Sequence, residues 1–238
     1  MLIQTRHKGF SLIELLVVIV IIGIILALGL PSFRTYMANQ KIRSTAETFM
    51  AGIQRARGEA VAQNARVQFL LTNDNVIADA STSPPTPNFS ASASDSGKNW
   101  MILLLDATGS PVTTQVPATT GPYIGFIEGK LGMESTGTAP FEVDGGGVNA
   151  IAFDGFGTPV LWDSTSSTWI AMTSTAVFQF SHAFVPDPSN PTLRHPDYSC
   201  KTSTGGGPIR CLNVRVTRGG QVRLCDPAVP STDTRSCS

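Results

Sequence analysis

The chain has 238 residues, 42% of them hydrophobic, and a formal net charge of zero. Those values fit one globular domain with an extended element, and they give no overall basic field of the kind that marks a dedicated nucleic-acid binder. All four cysteines, Cys200, Cys211, Cys225 and Cys237, lie in the last 39 residues, and an even number gathered in a loop-rich tail points to a disulfide-stapled region in an oxidising compartment. Three pairings are open. No C-x-x-C pair is present and His195 is the only nearby imidazole, so no metal is expected.

Met1 to Gly9 is polar, with Arg6, His7 and Lys8 just before Gly9, and Phe10 to Leu30 is apolar apart from Ser11, Glu14 and glycines. The charge order puts the amino end in the cytoplasm. As a helix, Phe10 to Leu30 would span about 31 Å, the thickness of a bilayer's hydrocarbon core. The run is too long for an ordinary signal-peptide core and is not followed by a small-x-small cleavage site. A plain anchor leaves Glu14 unexplained, because a carboxylate inside such a span costs about 2.5 to 3.5 kcal/mol unless it is paired.

Gly9-Phe10-Ser11-Leu12-Ile13-Glu14-Leu15-Leu16-Val17 closely resembles the type IV prepilin signature G-F-[ST]-L-x-E, and Pro31 stands where that family also has a proline. The resemblance implies that residues 1–9 are a leader, that a prepilin peptidase cuts between Gly9 and Phe10, and that the new amine of Phe10 is methylated. It also implies that a neighbouring subunit's amine neutralises Glu14 in an apolar filament core; pairing within the chain, one turn away, is the competing reading. Pro31, with Gly23 and Gly29 nearby, is expected to kink or melt the helix.

Past Pro31, Ile42, Ala46, Phe49, Ile53, Ala56 and Ala60 recur at steps of four and three, with charged residues on the other faces. This pattern predicts an amphipathic helix continuing the apolar one to about Asn64, its stripe packed on a head. The division expected is a filament-core helix at 10–37, an amphipathic helix at 38–66, a β-rich head at 67–199 and a C-terminal hairpin region at 200–238.

Strands are predicted at Val67 to Leu71, Trp100 to Leu105, Tyr123 to Ile127, Ala150 to Phe153, Pro159 to Trp162, Thr168 to Met172, Ala176 to His182, Leu212 to Val216 and Gln221 to Cys225. Residues 78–97, rich in serine, threonine, alanine and proline, read as a surface loop. The fold class is therefore α+β: a long amino-terminal helix on a β-rich head. The last two strands form a hairpin around Gly219-Gly220. Alternation puts Leu212, Val214, Val216, Val222 and Leu224 on one face, and Cys211, Arg215, Arg223 and Cys225 on the other.

That tail, with the Phe153-Asp154-Gly155-Phe156-Gly157-Thr158-Pro159 turn, is similar to the minor pilins of the FimT and FimU group, which share a domain family with the GspH pseudopilins. The resemblance implies a subunit that is anchored in the inner membrane with its head in the periplasm and then enters a surface filament. Implied partners are the prepilin peptidase, other major and minor pilins and the inner-membrane assembly platform. A structural role in priming assembly or at the filament tip leads. A type II secretion pseudopilin shares every membrane feature.

A binding role is the alternative from another class. Five basic residues and no acidic one lie between Cys200 and Cys225, a pattern suited to phosphates. FimT-like pilins carry a G-R-x-R turn that binds DNA; here Gly220-Gln221-Val222-Arg223 has glutamine for the first arginine, so Arg223 is the one transferable contact, with Arg215 and Arg218 as neighbours. No nucleophile elbow, phosphate loop, H-E-x-x-H helix or dinucleotide fingerprint is present, so neither enzyme chemistry nor a cofactor is expected. Asp154 and Asp163 read as turn formers.

Overall fold

The computed structural model describes residues 11–118, 120–132, 141–163, 166 and 168–237, with nothing described for the side chains of 27–31. Gly9 and Phe10, the expected processing site, lie outside these residues.

One α-helix, α1 (Leu12–Gln63), forms the spine. Ser11 caps it: its hydroxyl accepts the Glu14 backbone N–H at 3.3 Å, satisfying one of the donors a helix start leaves open. The helix ends at Asn64, which takes a left-handed conformation (φ 47°) that closes the last turn. It is unbroken through Pro31, so the expected disruption there is not a melted stretch. Flanking turns carry the helix past the one missing N–H.

The head is built from short strands: β1 (Val67–Thr72), β2 (Ile77–Asp79), β3 (Thr86–Pro87), β4 (Asn99–Leu104), β5 (Phe126–Lys130), β6 (Phe141–Asp144) and β7 (Ala150–Phe153). They continue as β8 (Pro159–Asp163), β9 (Thr168–Ala171), β10 (Ala176–His182), β11 (Lys201–Thr202), β12 (Gly205–Gly206), β13 (Leu212–Val216) and β14 (Val222–Cys225). A six-stranded sheet has the order β5-β4-β1-β7-β8-β9, and a four-stranded sheet the order β14-β13-β10-β6. Every pairing in both is antiparallel.

Three expectations shift. The strand expected from Tyr123 begins at Phe126, because Tyr123 is held in an isolated bridge to Gln115. The four-residue β6 is not among the predicted strands, yet it forms one edge of the second sheet beside β10. The loop at 78–97 is partly folded, since β2 pairs with β3.

Helix α1 packs on both sheets, touching β1, β4 and β7 of one and β10, β13 and β14 of the other. Its stripe of Ile42, Ala46, Phe49, Ile53, Ala56 and Ala60 is completely or almost completely buried. Phe49 joins the three layers: its ring centroid lies 4.8 Å from Phe69 on β1, and 5.0 Å from both Phe178 and Phe180 on β10. Small residues above it let the helix come close; a Cβ on Gly52 would lie 2.9 Å from the Trp100 ring. Phe49→Ala is expected to cost about 3–5 kcal/mol through lost burial and the cavity left behind. Denaturant unfolding of the chain in a non-ionic detergent checks this.

Candidate functional site

The lower part of α1 stands clear of the head. Every residue from Ser11 to Leu26 is exposed, including Leu12 at 82%. A continuous apolar surface of this length requires a covering of lipid or other chains. Glu14 sits within it, in the first turn, where the helix's positive end favours a carboxylate. Among the described residues no cation pairs with it.

No helix among the described residues is long and apolar enough to cross a membrane. Their apolar stretch, Leu12–Leu26, covers about 22 Å at ~1.5 Å per residue, short of a ~30 Å hydrocarbon core. Phe10 and the side chains of 27–30, which would complete the expected span, lie outside the description.

The C-terminal tail is pinned to the helix at two heights. At the lower one, the Arg210 backbone N–H donates to Asn39 Oδ1 at 2.7 Å. At the upper one, Arg57 Nε donates to the Gly157 carbonyl at 3.0 Å and its Nη2 to the Gly219 carbonyl at 3.4 Å. Arg57 thus clasps two glycine turns far apart in sequence. Gly157 (φ 76°) and Gly220 (φ 75°) both adopt the left-handed conformation, and a Cβ on Gly220 would lie 2.6 Å from the Gly157 carbonyl oxygen. Asp154 shapes the first turn, accepting the backbone N–H groups of Phe156 at 3.0 Å and Thr158 at 2.9 Å. At its apex Phe156 is 89% exposed.

The disulfides are Cys200–Cys211 and Cys225–Cys237, with Cα atoms 5.4 and 5.0 Å apart. Cys225 lies opposite Asn213, on the side of the hairpin away from the core, under the tail that returns to it. Cys211, expected on that side too, is instead buried in the main core. It precedes β13, so the strand's alternation does not govern it. Beyond Cys225, Asp233 is ion-paired with Arg235 at 2.7 Å. Its carboxyl is lowered to about 2, first by the hydrogen bond from Arg235.

Of the five basic residues, Arg215 and Arg223 face each other across the β13–β14 hairpin, while Arg210 stands apart from them. Arg210 belongs to the Asn39 level and Arg218 to the Arg57 level, about 27 Å apart along the helix at ~1.5 Å per residue. Arg218 and Arg223 are exposed at the hairpin. Arg215 donates to the Cys237 carbonyl and is half-buried, while buried Gly220 is explained by its packing on Gly157.

Sequence reasoning missed two groups. Ser11 as the cap was readable from the Ser11-x-x-Glu14 spacing. The Arg57 clasp was not, since its carbonyl partners lie 100 and 162 residues away. Among the described residues no group of three or more histidines, cysteines or acids could hold a metal.

Residues 4–30 match the model of the prokaryotic N-terminal methylation motif. The motif thus stands at the foot of the long helix that carries an antiparallel, disulfide-bearing head. A fimbrial protein of Moraxella nonliquefaciens is 47% identical over 51 residues, 21% of this chain; the match spans about a third (32%) of that protein's length. Two crystal forms of the type IV minor pilin FimU of Pseudomonas aeruginosa are similar at 16% identity. Those matches cover 82% and 85% of this chain and 99% of FimU, with TM-scores of 0.40 and 0.43.

Two outcomes follow for the head. Arg57→Ala loses two hydrogen bonds from a charged donor, about 1–3 kcal/mol together, and amide exchange at Gly157 and Gly220 should accelerate while that of β10 stays slow. Peptide mapping without reduction should recover the 200–211 and 225–237 links, and reducing either should cost about 2–4 kcal/mol, as expected for loops of this size.

Proposed function

We propose that this chain is a minor pilin: a precursor cut between Gly9 and Phe10 and methylated at Phe10, held in the inner membrane by its apolar stem with the head in the periplasm, and then built into a type IV pilus. Its role is structural, priming assembly or capping the tip, and it performs no chemistry of its own. One observation carries the reading. An exposed apolar stem holds a single carboxylate, Glu14, next to a motif whose processing would create a new amine. In a filament that amine, on a neighbouring subunit, neutralises Glu14 where neither charge could be buried alone. The prepilin peptidase, the other pilins and the assembly platform are the partners this requires.

The test separates processing from assembly. Glu14→Leu keeps the stem apolar and removes the charge. The variant should lose its leader normally and begin with methylated Phe10 by mass analysis, yet be absent from sheared filaments. Incorporation at the parental level would defeat the reading.

DNA capture is a second reading, supported by the exposure of Arg218 and Arg223 at the hairpin. It requires binding that weakens with salt and falls severalfold in Arg223→Ala. Equal retention of duplex by parent and variant removes it.

A further inference from the structure

Beside the buried stripe, α1 presents Lys41, Ser44, Thr45 and Thr48 at spacings of three and four, hence on one face. That face borders a cleft whose opposite wall carries Lys98 and Lys130. Strand pairing holds the wall in place: Lys130 lies across from Trp100, and the Gly132 backbone N–H donates to Asn99 Oδ1 at 2.9 Å. The floor is aromatic, with Phe49, Trp100, Phe141 and Phe180.

Three lysines therefore line one cleft, and among the described residues none has an ion-pair partner. Among the described residues the acids in the vicinity are engaged elsewhere: Glu47 with Arg43 at 2.8 Å, Glu128 with Arg55 at 2.7 Å and Glu142 with Arg194 at 2.7 Å. Asp144, which shares a neighbouring groove with Lys98, accepts the Gly146 backbone N–H at 2.8 Å. Thr48 donates its hydroxyl to the Ser44 carbonyl at 2.8 Å, whereas among the described residues the Ser44 and Thr45 hydroxyls have no partner.

Gathering like charges without a counter-charge is unfavourable, and an apolar floor strengthens whatever electrostatic interaction is made above it. The open volume, about 60 Å³, is well below the ~150 Å³ that admits a benzene ring. It suits a single compact group.

We propose that this cleft is an oxoanion site, in which Lys41, Lys98 and Lys130 surround one phosphate or carboxylate and the Ser44 and Thr45 hydroxyls complete its hydrogen bonds. The oxoanion is either a free ion or the acidic side chain of an adjoining filament subunit. Only the second source rests on the filament assignment.

Lysine acylation of the full chain in non-ionic detergent, read residue by residue by mass spectrometry, tests the site without any filament. Millimolar phosphate, against chloride at matched ionic strength, should slow the reaction of Lys41, Lys98 and Lys130 together and leave exposed Lys201 unchanged. In Lys130→Gln the phosphate needed to protect Lys98 should rise about tenfold, the loss of one charge-assisted contact. In the second arm a carbodiimide, which joins an amine to a carboxylate directly, is applied to isolated filaments, and an amide from Lys98 or Lys130 to another subunit identifies a protein carboxylate. Protection without such an amide identifies a free anion; the amide without protection identifies the neighbouring subunit. Unchanged acylation together with no cross-link at these lysines overturns the site.

Discussion

The contact of Phe49 with Phe69, Phe178 and Phe180 is the constraint on which the rest of the molecule depends. Neither sheet could bury its inner face alone. The helix supplies one stripe that closes both, and Phe49 is where the three layers meet. Edge-to-face and tilted rings at this separation add to the burial energy and fix orientation as well as distance. The helix is packed on the head from Ile42 to Ala60, and its lower part extends beyond the head with its apolar surface presented.

The tail extends this logic. Two short disulfide loops restrain a segment with little apolar surface of its own, and Asn39 and Arg57 fix it at two heights on the helix. The result divides the head's basic residues into separate groups. Arg218 and Arg223 stand at the upper hairpin, Arg210 stands near the stem, and the three lysines lie across the helix in their own cleft. A chain that is neutral overall thus presents several small, local positive surfaces.

Much of this was legible in the sequence because it follows from short-range pattern. The stripe from Ile42 to Ala60 emerges from helical spacing, and β7, β10 and β13 from runs of apolar and β-branched residues bounded by turns. What was not legible depends on distant partners. The pairing of Cys200 with Cys211 is one of three arithmetic possibilities until the fold joins them. Arg57 looked like one more solvated charge, and β6 was too short after Pro140 to stand out. The lysines of the oxoanion cleft come from three separated segments, so no local motif unites them. The apolar stem was plain from composition, but what covers it is a property of an assembly and not of one chain.

Site-specific photo-cross-linking from the stem addresses that last point most directly. A photoreactive side chain at Ile19, exposed and five residues beyond Glu14, should form adducts with the stems of adjoining subunits when filaments are irradiated. If the labelled chain is processed but forms only lipid adducts in membranes, and none with another subunit in filaments, the account of a stem buried among its neighbours is contradicted.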